Sequence, residues 1–188
     1  MRHIVAALAV GFASVVQLAA CSHKVSTLDE EKTLGSLTME ERRQYCEDRE
    51  RYMDTRVDQG DLQKIRCANA AGGLLAGGPD TARERASCKQ VYRVCMNTPT
   101  AEKQSMCDGF ATDAERCAAT VGEANECARA QADELAGLAS RADGACDRGP
   151  RSSMKGRDEG MATRMQTCAR VQLLCPKLFE EPIVLGGR

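Results

Sequence analysis

The sequence predicts an all-α protein of four to five helices, arranged as helical hairpins that are braced by disulfides. Apolar residues recur at helical spacing through most of the chain, and no stretch alternates as a strand would. The chain has eleven cysteines but no Trp, three Phe and three Tyr. Because Ala and Cys bury little area each, a core made largely of them needs covalent support.

The first helix of the expected domain begins at Thr38. The sequence TMEE at residues 38–41 has the form of a capping box, with a Thr at the N-cap and a Glu three residues later. The helical pattern weakens at Gly60, resumes to Cys67 and ends before the Gly-rich turn near Gly72. The apolar stripe of this region is Tyr45, Cys46, Tyr52, Met53, Val57, Leu62 and Ile65.

A second capping box, TARE at residues 81–84, opens the next helix, and Pro99 is suited to the first position of the helix after that. A long apolar seam then follows, in which Gly122 is either a break or a glycine within one helix. A Gly-rich charged loop separates this seam from a last helix that ends at Cys175, before Pro176. The apolar positions of the seam are Cys107, Phe110, Ala111, Ala114, Cys117, Ala118, Val121, Ala124, Ala128, Leu135, Leu138 and Ala142.

The N-terminus carries the pattern of an export signal. Arg2 precedes an apolar run from Ile4 to Val16, which is too short to span a bilayer comfortably as a helix. The stretch Leu18-Ala19-Ala20-Cys21 that follows resembles the lipobox of bacterial lipoproteins.

The resemblance implies cleavage before Cys21 and attachment of lipid to the Cys21 sulfur. In Gram-negative lipoproteins, an Asp directly after this cysteine tends to retain the protein in the inner membrane. Because this chain has Ser22 at that position, the resemblance favours the outer membrane. We therefore expect a signal peptide over residues 1–20, a flexible tether over 21–37, a Cys-rich helical domain over 38–179 and a tail over 180–188.

Ten cysteines remain after Cys21, and an even number in an exported chain indicates disulfides. The spacing C-x6-C occurs twice, at Cys88 and Cys95 and at Cys168 and Cys175. Seven residues are nearly two helical turns, so both sulfurs of each pair face the same way. The cysteine spacings also suggest two half-repeats, 38–97 and 98–179. The alternative is that cysteines populate the apolar seams by chance.

Pairing follows only in part from spacing. In a hairpin turning near Gly77, Cys67 lies roughly opposite Cys88, and Cys127 and Cys168 are their counterparts in the second half. Those two bonds would bring Cys117 within about one turn of Cys175. A bond between Cys46 and Cys95 is disfavoured, unless the helix bends at Gly60, because Cys46 lies ~21 Å along the helix from the position level with Cys95. The partners of Cys46, Cys95, Cys107 and Cys146 stay open.

The residues present give little basis for catalysis or for a cofactor. His23 is the only histidine outside the expected signal, C-x-x-C is absent, and we expect no catalytic residue, no metal and no cofactor. A formal net charge of −1 offers no electrostatic basis for nucleic-acid binding. One basic cluster could contact anionic envelope polymers, although most charged segments of this kind are simply solvated loops. It comprises Arg148, Arg151, Lys155 and Arg157.

Taken together, these features predict a lipid-anchored cell-envelope protein with a structural or protein-interaction role and no enzymatic activity. Its partners would be the membrane, through the lipid, and an envelope protein or a cell-wall polymer. We expect it at the outer membrane, facing the periplasm or the cell surface. The alternative is a binding module for a small ligand or a cell-wall fragment, held between the helical hairpins.

Overall fold

The computed structural model describes residues 24–72, 79, 81–99, 105–147, 166, 168–176 and 178. Within these ranges the chain is helical, and its only β pairing is a single antiparallel bridge between Thr33 and Thr120. Five α-helices have both ends within the described residues, and residues 168–174 contain further helical turns. They are α1 (Met39–Arg56), α2 (Gln59–Ala70), α3 (Ala82–Met96), α4 (Cys107–Asp113) and α5 (Val121–Ala142), with 3-10 turns at Leu34–Ser36 and Ala114–Arg116. The protein is therefore all-α, as the sequence predicts.

Capping boxes set the start of three helices. The boxes predicted at residues 38–41 and 81–84 both form, with the threonine hydroxyl accepting from the backbone N–H three residues on. A third, at Thr120 and Glu123, opens α5. Gly122 therefore lies in the first turn of α5, and the helical seam is broken just before it.

Two other boundaries differ from the predicted ones. The break between α1 and α2 lies at Val57 and Asp58, where the Asp58 side chain accepts from the backbone N–H of Asp61 at 2.8 Å. Gly60 is thus inside the first turn of α2 and does not interrupt a helix. Pro99 is not helical, and α4 begins only at Cys107.

The predicted tether over residues 21–37 is wrong for residues 24–37, which belong to the folded body. Val25, Leu34 and Leu37 are 2%, 0% and 3% exposed. The Ser26 hydroxyl donates to the Asp48 carboxylate of α1 at 3.0 Å. The side chains of this segment therefore complete the core.

Backbone pairing fixes the same segment against the turn that precedes α5. The N–H of Leu34 donates to the carbonyl of Ala119, and the N–H of Val121 donates to the carbonyl of Lys32, each at 2.9 Å. These bonds satisfy backbone groups that burial would otherwise leave unpaired. The physical reason for the correction is thus a set of non-local hydrogen bonds, which periodicity along the sequence does not reveal.

The core is thin and lies along α5. Tyr45 of α1 stacks on Phe110 of α4, with ring centroids 5.8 Å apart, beside buried Leu34 and Val121. Further along, α5 presents alanines to α1 and α2, and small side chains let helices approach closely. The buried alanines of α5 are Ala124, Ala128, Ala132, Ala139 and Ala142.

Gly35 provides a direct test of this docking. A Cβ at Gly35 would lie 2.8 Å from the carbonyl oxygens of both Cys117 and Glu115. Because both are backbone atoms, Gly35→Ala should lower the free energy of unfolding by about 1–3 kcal/mol, measured by urea denaturation of the oxidised protein. Gly109→Ala is the matched control: its Cβ meets nothing within 4 Å, so it should stabilise α4 by about 0.5–1 kcal/mol. Equal stability of the two variants would contradict the close approach.

Candidate functional site

All ten cysteines that follow Cys21 are joined in five disulfides. Their Cα–Cα distances run from 4.4 to 5.6 Å, within the range that a disulfide spans. The bonds close sequence separations of 28 to 61 residues, so each one ties together distant parts of the chain. The pairs are Cys46–Cys107, Cys67–Cys95, Cys88–Cys146, Cys117–Cys175 and Cys127–Cys168.

Two of the pairs expected from spacing, Cys127–Cys168 and Cys117–Cys175, are formed in the structure. The expected Cys67–Cys88 pair is wrong, because Cys67 is bonded to Cys95. The expectation counted residues from a tight turn near Gly77. In the structure the residue of α3 that lies opposite Cys67 is Cys95, seven residues after Cys88, so α3 is displaced along α2 by ~10.5 Å relative to that expectation.

Each C-x6-C pair staples one helical segment to two different neighbours. Cys88 and Cys95 lie on the same side of α3, as their spacing predicts, and bond to Cys146 beyond α5 and to Cys67 of α2. In the second pair, Cys168 bonds to Cys127 of α5, and Cys175 to Cys117.

The connectivity does not repeat between the halves. Under the expected duplication, Cys127 and Cys175 are the counterparts of Cys67 and Cys95. Cys67 and Cys95 are bonded to each other, whereas Cys127 and Cys175 have other partners. The spacing repeat is therefore not accompanied by a repeat of the bonds.

One cluster has the spacing of a metal site but not its chemistry. Cys46, Glu50 and Cys107 bring potential ligand atoms within 4.8 Å of one another. The two sulfurs are bonded to each other, and a metal needs thiolates. In this oxidised form the cluster therefore contributes a cross-link between α1 and α4.

A small pocket lies between α1, α4 and α5, beside Tyr45. Its volume is about 40 Å³, and it is lined mainly by apolar side chains together with Arg49 and Gln131, which hydrogen-bond at 2.9 Å. Among the described residues, the buried Tyr45 hydroxyl has no hydrogen-bond partner. Burial raises the pKa of Tyr45 to about 12, so the phenol is a protonated donor at neutral pH.

The size of this pocket decides what it can hold. A water molecule needs ~10–15 Å³, whereas pockets for organic ligands start near ~300 Å³. A volume of about 40 Å³ therefore has room for roughly three waters, one of which can accept from the Tyr45 hydroxyl.

A second pocket, of about 170 Å³, lies where the described chain begins. We call it the entry pocket, and its polar lining includes Lys24, Ser26, Asp48, Arg51 and Thr55. The Asp48 carboxylate accepts from the Ser26 hydroxyl and pairs with the Arg51 guanidinium, both at 3.0 Å. The pocket thus contains one ion pair, between Arg51 and Asp48 on the C-terminal half of α1, and a second cation, Lys24.

Some large apolar side chains are exposed on the described surface. Val91 and Val94 lie three residues apart on α3, with Val94 62% exposed, and Leu173 is 83% exposed. The inner side of α3 is occupied by its two disulfides and by Tyr92, which packs on alanines near the end of α5. The outward valines therefore give α3 an apolar surface.

Several sequence-predicted positions lie outside the described residues. They are Cys21, the basic cluster of Arg148, Arg151, Lys155 and Arg157, and the tail over 180–188. Among the helices that are described, none combines the length and the apolar character needed to cross a bilayer.

Sequence reasoning missed the entry pocket because it assigned Lys24 and Ser26 to a tether. A usable signal was present, since four apolar residues are spaced through that polar segment. They are Val25, Leu28, Leu34 and Leu37.

Comparison with known proteins adds no relative. No protein-family model, no curated protein and no solved structure matches this chain. Function is therefore argued from the residues and the geometry described above.

Proposed function

We propose that this protein is a lipid-anchored cell-envelope protein with a structural or protein-interaction role and no enzymatic activity. The observation that carries the proposal is the division of the eleven cysteines. Ten are consumed in five disulfides, and the one left over is Cys21, at the end of the lipobox-like stretch.

Disulfides persist in oxidising compartments outside the cytoplasm, which is where a signal of this kind would send the chain. A bridged domain and a lipobox therefore support each other. Two or three acyl chains, at ~0.8 kcal/mol per buried methylene, would hold such a domain firmly at a membrane.

The interaction role is supported by what surrounds the core. The seam along α5 is filled by alanines and disulfides, and the Tyr45 pocket has room for little more than water. The exposed valines of α3 offer an apolar contact surface. The alternative, a binding module for a small ligand between hairpins, has less support, because the two described pockets, of about 40 and 170 Å³, are both smaller than the ~300 Å³ at which pockets for organic ligands start.

Intact mass of the protein from its native envelope tests the proposal. We expect the loss of residues 1–20, the gain of acyl chains on Cys21, no alkylation before reduction and ten alkyl groups after it. Cys21→Ala should remove the acyl mass and the membrane association, because the sulfur that carries the lipid is gone.

Ser22→Ala is the control for that substitution, since it leaves the acylated sulfur in place and should keep the protein in the membrane fraction. A mature protein without acyl mass would contradict the anchor. More than two alkylated thiols before reduction would contradict the bridged domain.

A further inference from the structure

The folded body begins very close to the expected lipid. Val25 and Ser26 are 2% and 3% exposed, and the hydrogen bond from Ser26 to Asp48 fixes this point against α1. Only three residues stand between Cys21 and Val25 in the sequence. An extended chain spans at most ~3.6 Å per residue, so the two Cα atoms are no more than ~14 Å apart.

The segment that follows runs back along α1, and this gives the body a direction. Ser26 contacts Asp48 in the C-terminal half of α1, Lys32 then pairs with Glu41 at 3.4 Å, and Thr38 caps the N-terminus of the same helix. The chain therefore enters the body beside the C-terminal half of α1 and moves away from the point of attachment. Met39, the first residue of α1, lies at the opposite end of the helix from Thr55, ~24 Å away at 1.5 Å per residue.

The surface at the point of entry has the chemistry of a head-group contact. The entry pocket combines Lys24 and Arg51 with hydroxyl groups, including that of exposed Thr27. Its one carboxylate, Asp48, accepts from the Ser26 hydroxyl and is paired with Arg51, so the pocket carries one net positive charge, on exposed Lys24. Cations attract the phosphates of lipid head groups, whereas burial in the hydrocarbon would be costly for them. This surface therefore fits the head-group layer and not the acyl layer.

We propose that the lipid anchor holds this domain directly against the head-group layer of the membrane, with the entry pocket and the C-terminal half of α1 facing the lipid. The inference rests on the proposed acylation of Cys21, and it specifies how the anchored domain is oriented. A domain on a seventeen-residue tether would take no fixed orientation. A domain three residues from its anchor has one surface close to the bilayer and one end of α1 directed away from it.

Energy transfer from a single tryptophan measures this orientation, because the chain has no Trp of its own. Thr55→Trp and Met39→Trp both place the donor at an exposed position on α1. The full acylated chain is reconstituted in phosphatidylethanolamine–phosphatidylglycerol vesicles that carry a dansyl-labelled head group. We expect at least about twofold more transfer from position 55 than from position 39, given their ~24 Å separation.

A lengthened anchor is the matched control. Sixteen Gly/Ser residues inserted after Ser22 add ~22 Å of flexible reach and should reduce the transfer from position 55 by about half or more. Equal transfer from the two positions, or transfer that the insertion leaves unchanged, would overturn the proposed orientation. Acyl mass and flotation with the vesicles are measured on the same samples. A floating, acylated protein without orientation refutes this inference alone, whereas a chain that is neither acylated nor floating refutes the lipid anchor with it.

Discussion

Reduction of the five disulfides is expected to abolish the cooperative thermal unfolding of this protein and leave the chain largely unfolded at 37 °C. In the chain-entropy treatment, closing loops of 28 to 61 residues contributes about 3.6–4.3 kcal/mol per bond. The contributions of nested loops do not simply add. Even two of them approach the whole stability of an ordinary domain, about 5–15 kcal/mol. Circular dichroism melts with and without a phosphine reductant would measure the effect.

The apolar core cannot replace that contribution. Its largest fully buried side chains are few, with Tyr45, Leu34 and Ile65 foremost, and its helix contacts rest mainly on alanine. At ~25 cal/mol per Å² of apolar area, small side chains stabilise a fold much less than Leu or Phe do.

Two controls accompany the melts. Alkylation after reduction should report ten thiols, which shows that buried sulfurs such as those of Cys67 and Cys117 were reached. The oxidised form of the reductant, at the same concentration, should leave the melting temperature unchanged. A reduced and fully alkylated protein with the original melting temperature would contradict the view that the bonds hold this fold together.

Local features of the fold were predictable from the sequence. The boxes at residues 38–41 and 81–84 were found because a capping box is complete within four residues. The position of Cys88 and Cys95 on the same side of α3 was also predictable, because seven residues are nearly two turns of 3.6 residues each. Such features depend only on neighbours in sequence, so no knowledge of the tertiary fold is needed.

The disulfide partners depended on loop geometry, which sequence spacing does not give. The pairs of Cys117 with Cys175 and of Cys127 with Cys168 agreed with simple hairpin counting. Cys67 did not, because α3 is displaced along α2 by two turns. A hydrogen bond from the Gln63 amide to the Met96 carbonyl, at 3.0 Å, marks the displaced register.

The candidate membrane-facing surface could not be predicted from the sequence, for a related reason. Lys24 and Ser26 lie in a polar stretch without periodicity, which is the composition expected of a tether. Ser26 is buried and Lys24 is exposed, and the segment that they begin is fixed by hydrogen bonds to residues about ninety positions later, such as that from Leu34 to Ala119. Nothing local in the sequence showed that Asp48 of α1 would accept a hydrogen bond from Ser26.

Leu34→Ala is expected to destabilise the oxidised protein by about 2–5 kcal/mol, because Leu34 is fully buried and its removal leaves a cavity in the largest core cluster. Leu173→Ala makes the same chemical change at a side chain that is 83% exposed and should stay within about ±0.5 kcal/mol of the parent. Urea unfolding of both variants gives the two values. Trypsin gives a second readout, since the Lys32 carbonyl accepts from Val121 in the folded state, and cleavage after Lys32 should accelerate in Leu34→Ala only. If residues 24–37 were a tether, both leucine substitutions would leave the stability unchanged, and trypsin would cut rapidly after Lys32 in the parent protein. Equal behaviour of the two variants would therefore refute the docking of this segment, and with it the membrane orientation that depends on the docking.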